Sequence, residues 1–343
     1  MLARCGSPVD AVCGLIRGLR STLLVQTMTS ERADLPAYIE RLVLRGPYRR
    51  SACSAGSVED VSRKIADSLR GGEPIRFTVP FGGYKLWRLE SAPLPDWAEV
   101  FAAAYLVEYL MPVAWIYEPG IEIVFSYCSL GVSEANGLEV DSISTYIERF
   151  GAILGKCQDL VQQANLTMRV FDVATLYGEG EGEKELAELL AETKSSWSAV
   201  IPLEDRERMI ASARRNLRLS GKELSTDELE ARYEESAQLV YAVDSLKKRR
   251  EFNKYSDRIQ LVYVRGPERS IHVGSCRSST CQFNVGSGVL EARREGYIPR
   301  IASADFLRQS RHLGVADVQR CWPELALLDT RFRTIELYSF QGE

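Results

Sequence analysis

"PIRFTVPFGGYKLWR", Pro74–Arg88, decides the fold, because a short apolar run bounded by prolines stops at two glycines and is followed by two cations. Pro74 to Pro80 reads as a buried strand entering a loop. Gly82 and Gly83 let a backbone approach a partner closely, and Lys85 and Arg88 suggest that the partner is an anion. The plain alternative is a Gly-Gly turn flanked by snorkelling side chains.

Outward from this stretch, strands and helices alternate. Val61, Ile65 and Leu69 share one face of a helix expected over about Val58–Leu69, before the strand. After the loop, "PLPDWAEVFAAAYLVEYLMP" opens with Asp96 and Glu99 in the D-x-x-E capping-box pattern and continues apolar on nearly every side, so this helix is buried. Pro112 should kink or end it. The capping box explains both carboxylates. They could equally face a ligand at the helix N-terminus as a catalytic pair.

"IEIVFSYC", Ile121–Cys128, is a central strand. Ile143, Tyr146, Ile147, Phe150, Ile153, Leu154, Cys157 and Leu160 keep helical spacing over four turns, and "LTMRVFDV" from Leu166 is the next strand. The alternation predicts an α/β fold with a Rossmann-like, mostly parallel sheet covered on both faces.

From Gly178 to about Asn253 the chain is charged and helix-forming, with starts near Glu183, Asp205 and Ser225, the last again a capping box with Glu228. "KKRR" from Lys247 suits a helix C-terminus. "RIQLVYV" and "RSIHVGSC" return to strand character across the turn "RGPE", and "TIELYSF" is a further strand. The expected organisation is a dispensable N-terminus over residues 1–27, the first half of an α/β core over 28–177, a helical layer or lid over 178–256, and completion of the core over 257–343. Leu35, Tyr38, Ile39, Leu42 and Val43 fall at helical spacing at the start of the ordered part.

Composition narrows the function. The 343 residues carry 43 basic and 47 acidic side chains, so no global charge draws nucleic acid or an anionic membrane, and an anion site must be local. Eight cysteines lack a small-domain disulfide spacing and read as reduced and cytoplasmic. Cys276 and Cys281 have no second pair, and two histidines in all argue against a metal centre. Arginines interrupt the N-terminal apolar residues, which fit neither a signal peptide nor a membrane span.

"YGEGEGEKE" after Tyr177 alternates glycine with glutamate, which would repel phosphate, and reads as a surface turn. His272 lies mid-strand, with Arg269, Arg277, Ser275, Ser278, Ser279 and Thr280 nearby, a mixture that binds and protonates an oxyanion. A structural histidine is the alternative. His312, beside Arg311 near an expected helix end, lacks such company. No nucleophile elbow, Walker loop or dinucleotide-binding glycine motif appears.

Several strings together resemble the pyoverdine/dityrosine biosynthesis family, the isonitrile synthases. They are "IRFTVPFGGYKLWRLESAPLPDWAE" (Ile75–Glu99), "IYEPGIEIVFS" (Ile116–Ser126) and "RSIHVGS" (Arg269–Ser275). The family's lysine-serine loop stands here as "GGYKLWR", its aspartate-glycine as "YCSLG", and its C-terminal tryptophan-histidine segment is missing. The resemblance implies a Rossmann-like core in which an amino acid's amine condenses with the ketone of a pentulose phosphate and emerges as an isonitrile, without metal or organic cofactor. On that scheme Lys85, Glu99 and His272 are the catalytic residues. Gly82, Gly83, Arg88, Asp96, Arg277 and Ser279 bind substrate. Lys85 and Arg88 would hold phosphate or carboxylate, and Arg277 would neutralise a developing oxyanion. The partners implied are an amino acid and a phosphorylated sugar or other small anion. A non-catalytic binding or interaction protein that kept the fold is the alternative.

Overall fold

The computed structural model describes residues 34–80, 95–127, 140–161, 165–172, 181–197, 207, 225–249, 257–263, 269–274, 287–293, 296–302, 310–315 and 333–337. Helix α1 (Leu35–Val43) begins on an Asp34 cap, and α2 (Ala55–Gly71) on Ser54, ending on Gly72 in the left-handed conformation. Then β1 (Ile75–Pro80), α3 (Trp97–Ile116), β2 (Ile121–Tyr127), α4 (Val140–Val161) and β3 (Leu166–Asp172) alternate. Two helices, α5 (Glu181–Ser195) and α6 (Thr226–Arg249), precede β4 (Ile259–Val262) and β5 (Ser270–His272). The helix start expected near Asp205 lies outside the described residues, as do residues 177–180 of the stretch expected to be a glycine-glutamate turn; its second half, from Glu181, is not a turn but the beginning of α5.

These five strands form one fully parallel sheet in the order β3-β2-β1-β4-β5. This is a Rossmann-like order, and the switch point falls between β1 and β4, the place where such sheets receive ligands at their C-terminal edge. The strands around "RGPE" are parallel neighbours, with Gln260 beside Ser270 and Val262 beside His272. His272 is the last residue of β5 and not mid-strand.

The two faces of the sheet differ. Ile75, Phe77, Val79, Ile121, Ile123, Phe125, Leu166, Met168, Ile259, Leu261 and Ile271 alternate onto one face, buried in a single core with α1 to α4. The opposite face carries Arg76, Thr78, Glu122, Ser126, Arg169, Gln260, Ser270 and His272, by the same alternation and register. On that face Phe171 joins a small second cluster with Leu186, Leu189, Leu190, Leu239, Ala242 and Leu246 of α5 and α6. Ser225 caps α6 with Glu228, whose amide donates to Ser225 Oγ.

A second, four-stranded sheet, not anticipated from the sequence, follows. Its strands β6 (Ser287–Arg293), β7 (Gly296–Ala302), β8 (Ser310–Val315) and β9 (Arg333–Leu337) take the order β7-β6-β9-β8. His312 therefore sits in a strand, opposite Ile335, and not near a helix end. Helix α3 packs against β2, α4 and α1 and also against β6 and β7, so both of its sides are covered. Its length and apolar composition would suit a membrane span, yet 83% of its most apolar window is buried inside the protein. Only a helix covered all round tolerates so uniform a sequence.

Pro112 does not end α3, which runs on to Ile116. A proline at 112 removes the amide that would bond the Glu108 carbonyl one turn earlier. Arg45 supplies the missing donor: its Nη2 reaches the Glu108 carbonyl at 3.0 Å and also bonds that of Tyr109. The guanidinium lies 4.2 Å from the centre of the Tyr48 ring, which stacks on Tyr109.

Candidate functional site

The N-terminus of α3 comes after the C-terminal end of β1, beyond residues 81–94. Asp96 caps it, accepting from the Ala98 amide at 2.8 Å, while Glu99 Oε2 accepts from the Asp96 amide at 2.7 Å, completing the capping box. Both carboxylates are buried, Glu99 completely. A buried carboxylate needs further donors. Tyr146 of α4 donates its hydroxyl to Glu99 Oε1 at 2.7 Å, and the Gly288 amide of β6 donates to Asp96 Oδ1 at 2.8 Å. Burial, the charge of Glu99, the hydrogen bond to it and the charge of Asp96 all hold the Tyr146 phenol well above its ordinary value, so it stays a donor.

About 9 Å further along α3, six residues at 1.5 Å each, Tyr105 ties this helix to the end of β5. Its hydroxyl donates to the Tyr48 carbonyl at 2.9 Å and accepts from the Gly274 amide at 3.2 Å. Gly274 has φ of 116°, which a residue with a Cβ rarely adopts. Residues 48–50 run along β5: Arg49 bridges Val273 in antiparallel fashion and the Arg50 amide donates to the His272 carbonyl at 2.9 Å. His272 is half-buried; its Nδ1 lies 3.5 Å from Ser51 Oγ and its Nε2 is buried with no hydrogen-bond partner among the described residues.

Deeper along the same sheet face, the buried hydroxyls of Thr78 on β1 and Ser126 on β2 meet at 3.2 Å.

Of the nine residues singled out from sequence, Asp96, Glu99 and His272 are described. Gly82, Gly83, Lys85, Arg88, Arg277 and Ser279 lie outside the described residues, as does any separation between Lys85 and His272. Their segments nevertheless have fixed anchors. Residues 81–94 begin after Pro80 at the end of β1 and finish before Asp96; residues 275–286 begin after β5 and finish before Ser287 and Gly288. Both start from the C-terminal edge of the parallel sheet, with only β4 between their strands, so about 10 Å apart. Both end on one hydrogen bond, Gly288 to Asp96.

Sequence reasoning passed over Tyr146, Gly288 and Ser51. Tyr146 sat among helix-spaced apolar residues with nothing to reveal its hydroxyl's partner. Gly288 carried the usable signal, a glycine inside a strand pattern marking close backbone approach.

No protein-family model matches the chain, and no curated protein matches it. Among solved structures it is similar to the PvcA protein from Pseudomonas aeruginosa, at 16% identity and a TM-score of 0.62 over 89% of this chain and all of that one, a likeness of fold.

Proposed function

We propose that the chain is a cytoplasmic small-molecule biosynthetic enzyme of the isonitrile-synthase kind, whose site lies at the C-terminal edge of the five-stranded sheet. One observation carries this reading: the segments holding Lys85, Arg88 and Arg277 follow strands β1 and β5 of one parallel sheet, and the residues just beyond them, Asp96 and Gly288, are hydrogen-bonded to each other. That edge, at a switch point, is where an α/β sheet accepts a small ligand. The resemblance of Ile75–Glu99 and the fold shared with PvcA agree with it.

In this reading Gly82, Gly83, Lys85 and Arg88 bind the phosphate or carboxylate, and Arg277 and Ser279 also bind substrate. The amino acid's nitrogen attacks the sugar ketone; a C–N bond forms and the ketone oxygen leaves as water after taking two protons. His272 shuttles them, because its Nε2, though buried, has no hydrogen-bond partner among the described residues, whereas Glu99 gives its oxygens to the Asp96 amide and Tyr146. Asp96 and Glu99 place negative charge at the mouth of α3 and hold the second sheet beside the site.

The test is mass spectrometry after incubating the protein with amino acids and pentulose phosphates. A nitrogen-containing product that disappears with His272→Gln supports the reading; no product from any pair overturns it in favour of a binding protein. The half-exposed Tyr241, edge-on to Trp197 on the helical layer, favours that second reading.

A further inference from the structure

The geometry points to Ser51 as a positioning residue that fixes His272 with its proton on Nδ1 and a bare lone pair on Nε2. The assignment rests on the role given to His272 above, but its physical basis is independent of it.

Ser51 is not beside His272 by chance of a side-chain rotamer. Three hydrogen bonds hold the backbone that carries it: the Arg50 amide on the His272 carbonyl and the Gly274 amide on the Tyr48 carbonyl at 3.0 Å, which together make the Arg49–Val273 bridge, and the Tyr105 hydroxyl on that same carbonyl. The strand edge is thereby closed, and the residue after Arg50 is delivered to the imidazole. Its hydroxyl lies 3.5 Å from Nδ1, at the outer limit of a hydrogen bond.

A neutral imidazole has one N–H and one lone pair, and their order follows from what each nitrogen meets. Nε2 is buried and meets no acceptor among the described residues. A proton there would be an orphaned buried donor, whereas a bare acceptor is the better tolerated of the two. With the proton on Nδ1, the N–H donates to Ser51 Oγ, which is exposed and can direct its own hydroxyl hydrogen to solvent. Nε2 then keeps a buried lone pair at the end of β5, on the sheet face that also carries Thr78 and Ser126. A proton acceptor is what the attacking amine of the proposed condensation has to meet.

The sequence makes the test clean, because His272 and His312 are the only histidines. In the ¹⁵N-labelled full chain bearing His312→Gln, long-range ¹H–¹⁵N correlation at about pH 8.5, where an ordinary imidazole is neutral, reads the tautomer of His272 alone. The expected result is a protonated Nδ1 as the major form, falling to the minor form in Ser51→Ala and recovering in Ser51→Thr. Ser51→Gly, which removes the hydroxyl differently, should match Ser51→Ala and replaces it should that variant fold poorly. A proton on Nε2 in the parent, or a tautomer ratio unchanged by both losses of the hydroxyl, overturns the assignment. A Ser51-dependent tautomer in a protein that makes no product would overturn the enzyme reading and leave Ser51 in its role.

Discussion

Gly288 donates its amide to Asp96 across 2.8 Å, and a Cβ built on Gly288 would stand 1.9 Å from the Ala98 nitrogen and 2.4 Å from the Trp97 carbonyl carbon. The second sheet thus meets the N-terminus of α3 through backbone, with no room for a side chain.

Gly288→Ala should therefore destabilise by about 3 kcal/mol or more, at or above the upper end for overpacking, since the atoms in the way are backbone. Gly56→Ala is the control: open space surrounds its Cβ position within α2, and the helix should gain up to about 1 kcal/mol. Urea denaturation of the pair measures both.

Tyr146→Phe takes a donor from a fully buried carboxylate. A hydrogen bond to a charged group contributes about 1.5 to 3 kcal/mol, and the same loss of stability is expected here. A loss under about 0.5 kcal/mol by denaturation would mean that Glu99 is satisfied without it.

Arg45→Met should cost about 2 to 3 kcal/mol, because the Glu108 carbonyl, deprived of an amide by Pro112, loses its charged donor. Restoring the amide with Pro112→Ala should reduce that cost by about 1 kcal/mol, roughly one ordinary hydrogen bond. A double-mutant cycle showing simple additivity would contradict the compensation.

Acid should weaken the sheet through Glu122. Burial alone would raise its carboxyl, but the hydrogen bond from Arg169 and the charges of Arg258 and Arg169 outweigh it and hold the group below its ordinary value. Arg76 adds a 3.7 Å contact. A carboxyl depressed on folding stabilises above its unfolded value, near 4.3, and loses that contribution as pH falls through the folded value. Glu122→Gln should thus show a shallower fall in stability than the parent between about pH 5 and 2. Asp60, held down by Lys64 and Arg63 despite burial, contributes with the same sign.

The parallel sheet was legible because burial on one face writes apolar residues at every second position, as in Ile75, Phe77 and Val79, and caps such as Asp96–Glu99 mark where helices begin. Pro112 misleads locally because its compensation comes from Arg45, 67 residues earlier. The second sheet was hidden for the same reason: β6 pairs with β7 but also with β9, some forty residues on, and only that pairing makes His312 a strand residue. At the site, the residue types at Asp96, Glu99 and His272 were readable. Their partners Tyr146, Gly288 and Ser51 were not, since nothing local distinguishes a tyrosine that meets a buried carboxylate from one that merely packs.

The central claim is that the segments after β1 and β5 serve one anion site. Calorimetry with a pentulose phosphate on the parent, Lys85→Ala, Arg277→Ala and the double variant tests it directly. Each single loss should weaken binding by about 1.5 to 3 kcal/mol, roughly 10- to 150-fold, with thermal melts nearly unchanged. The double variant should depart from additivity, as cations on one ligand do. Unaltered affinity in both single variants, with the fold intact, would contradict a shared site.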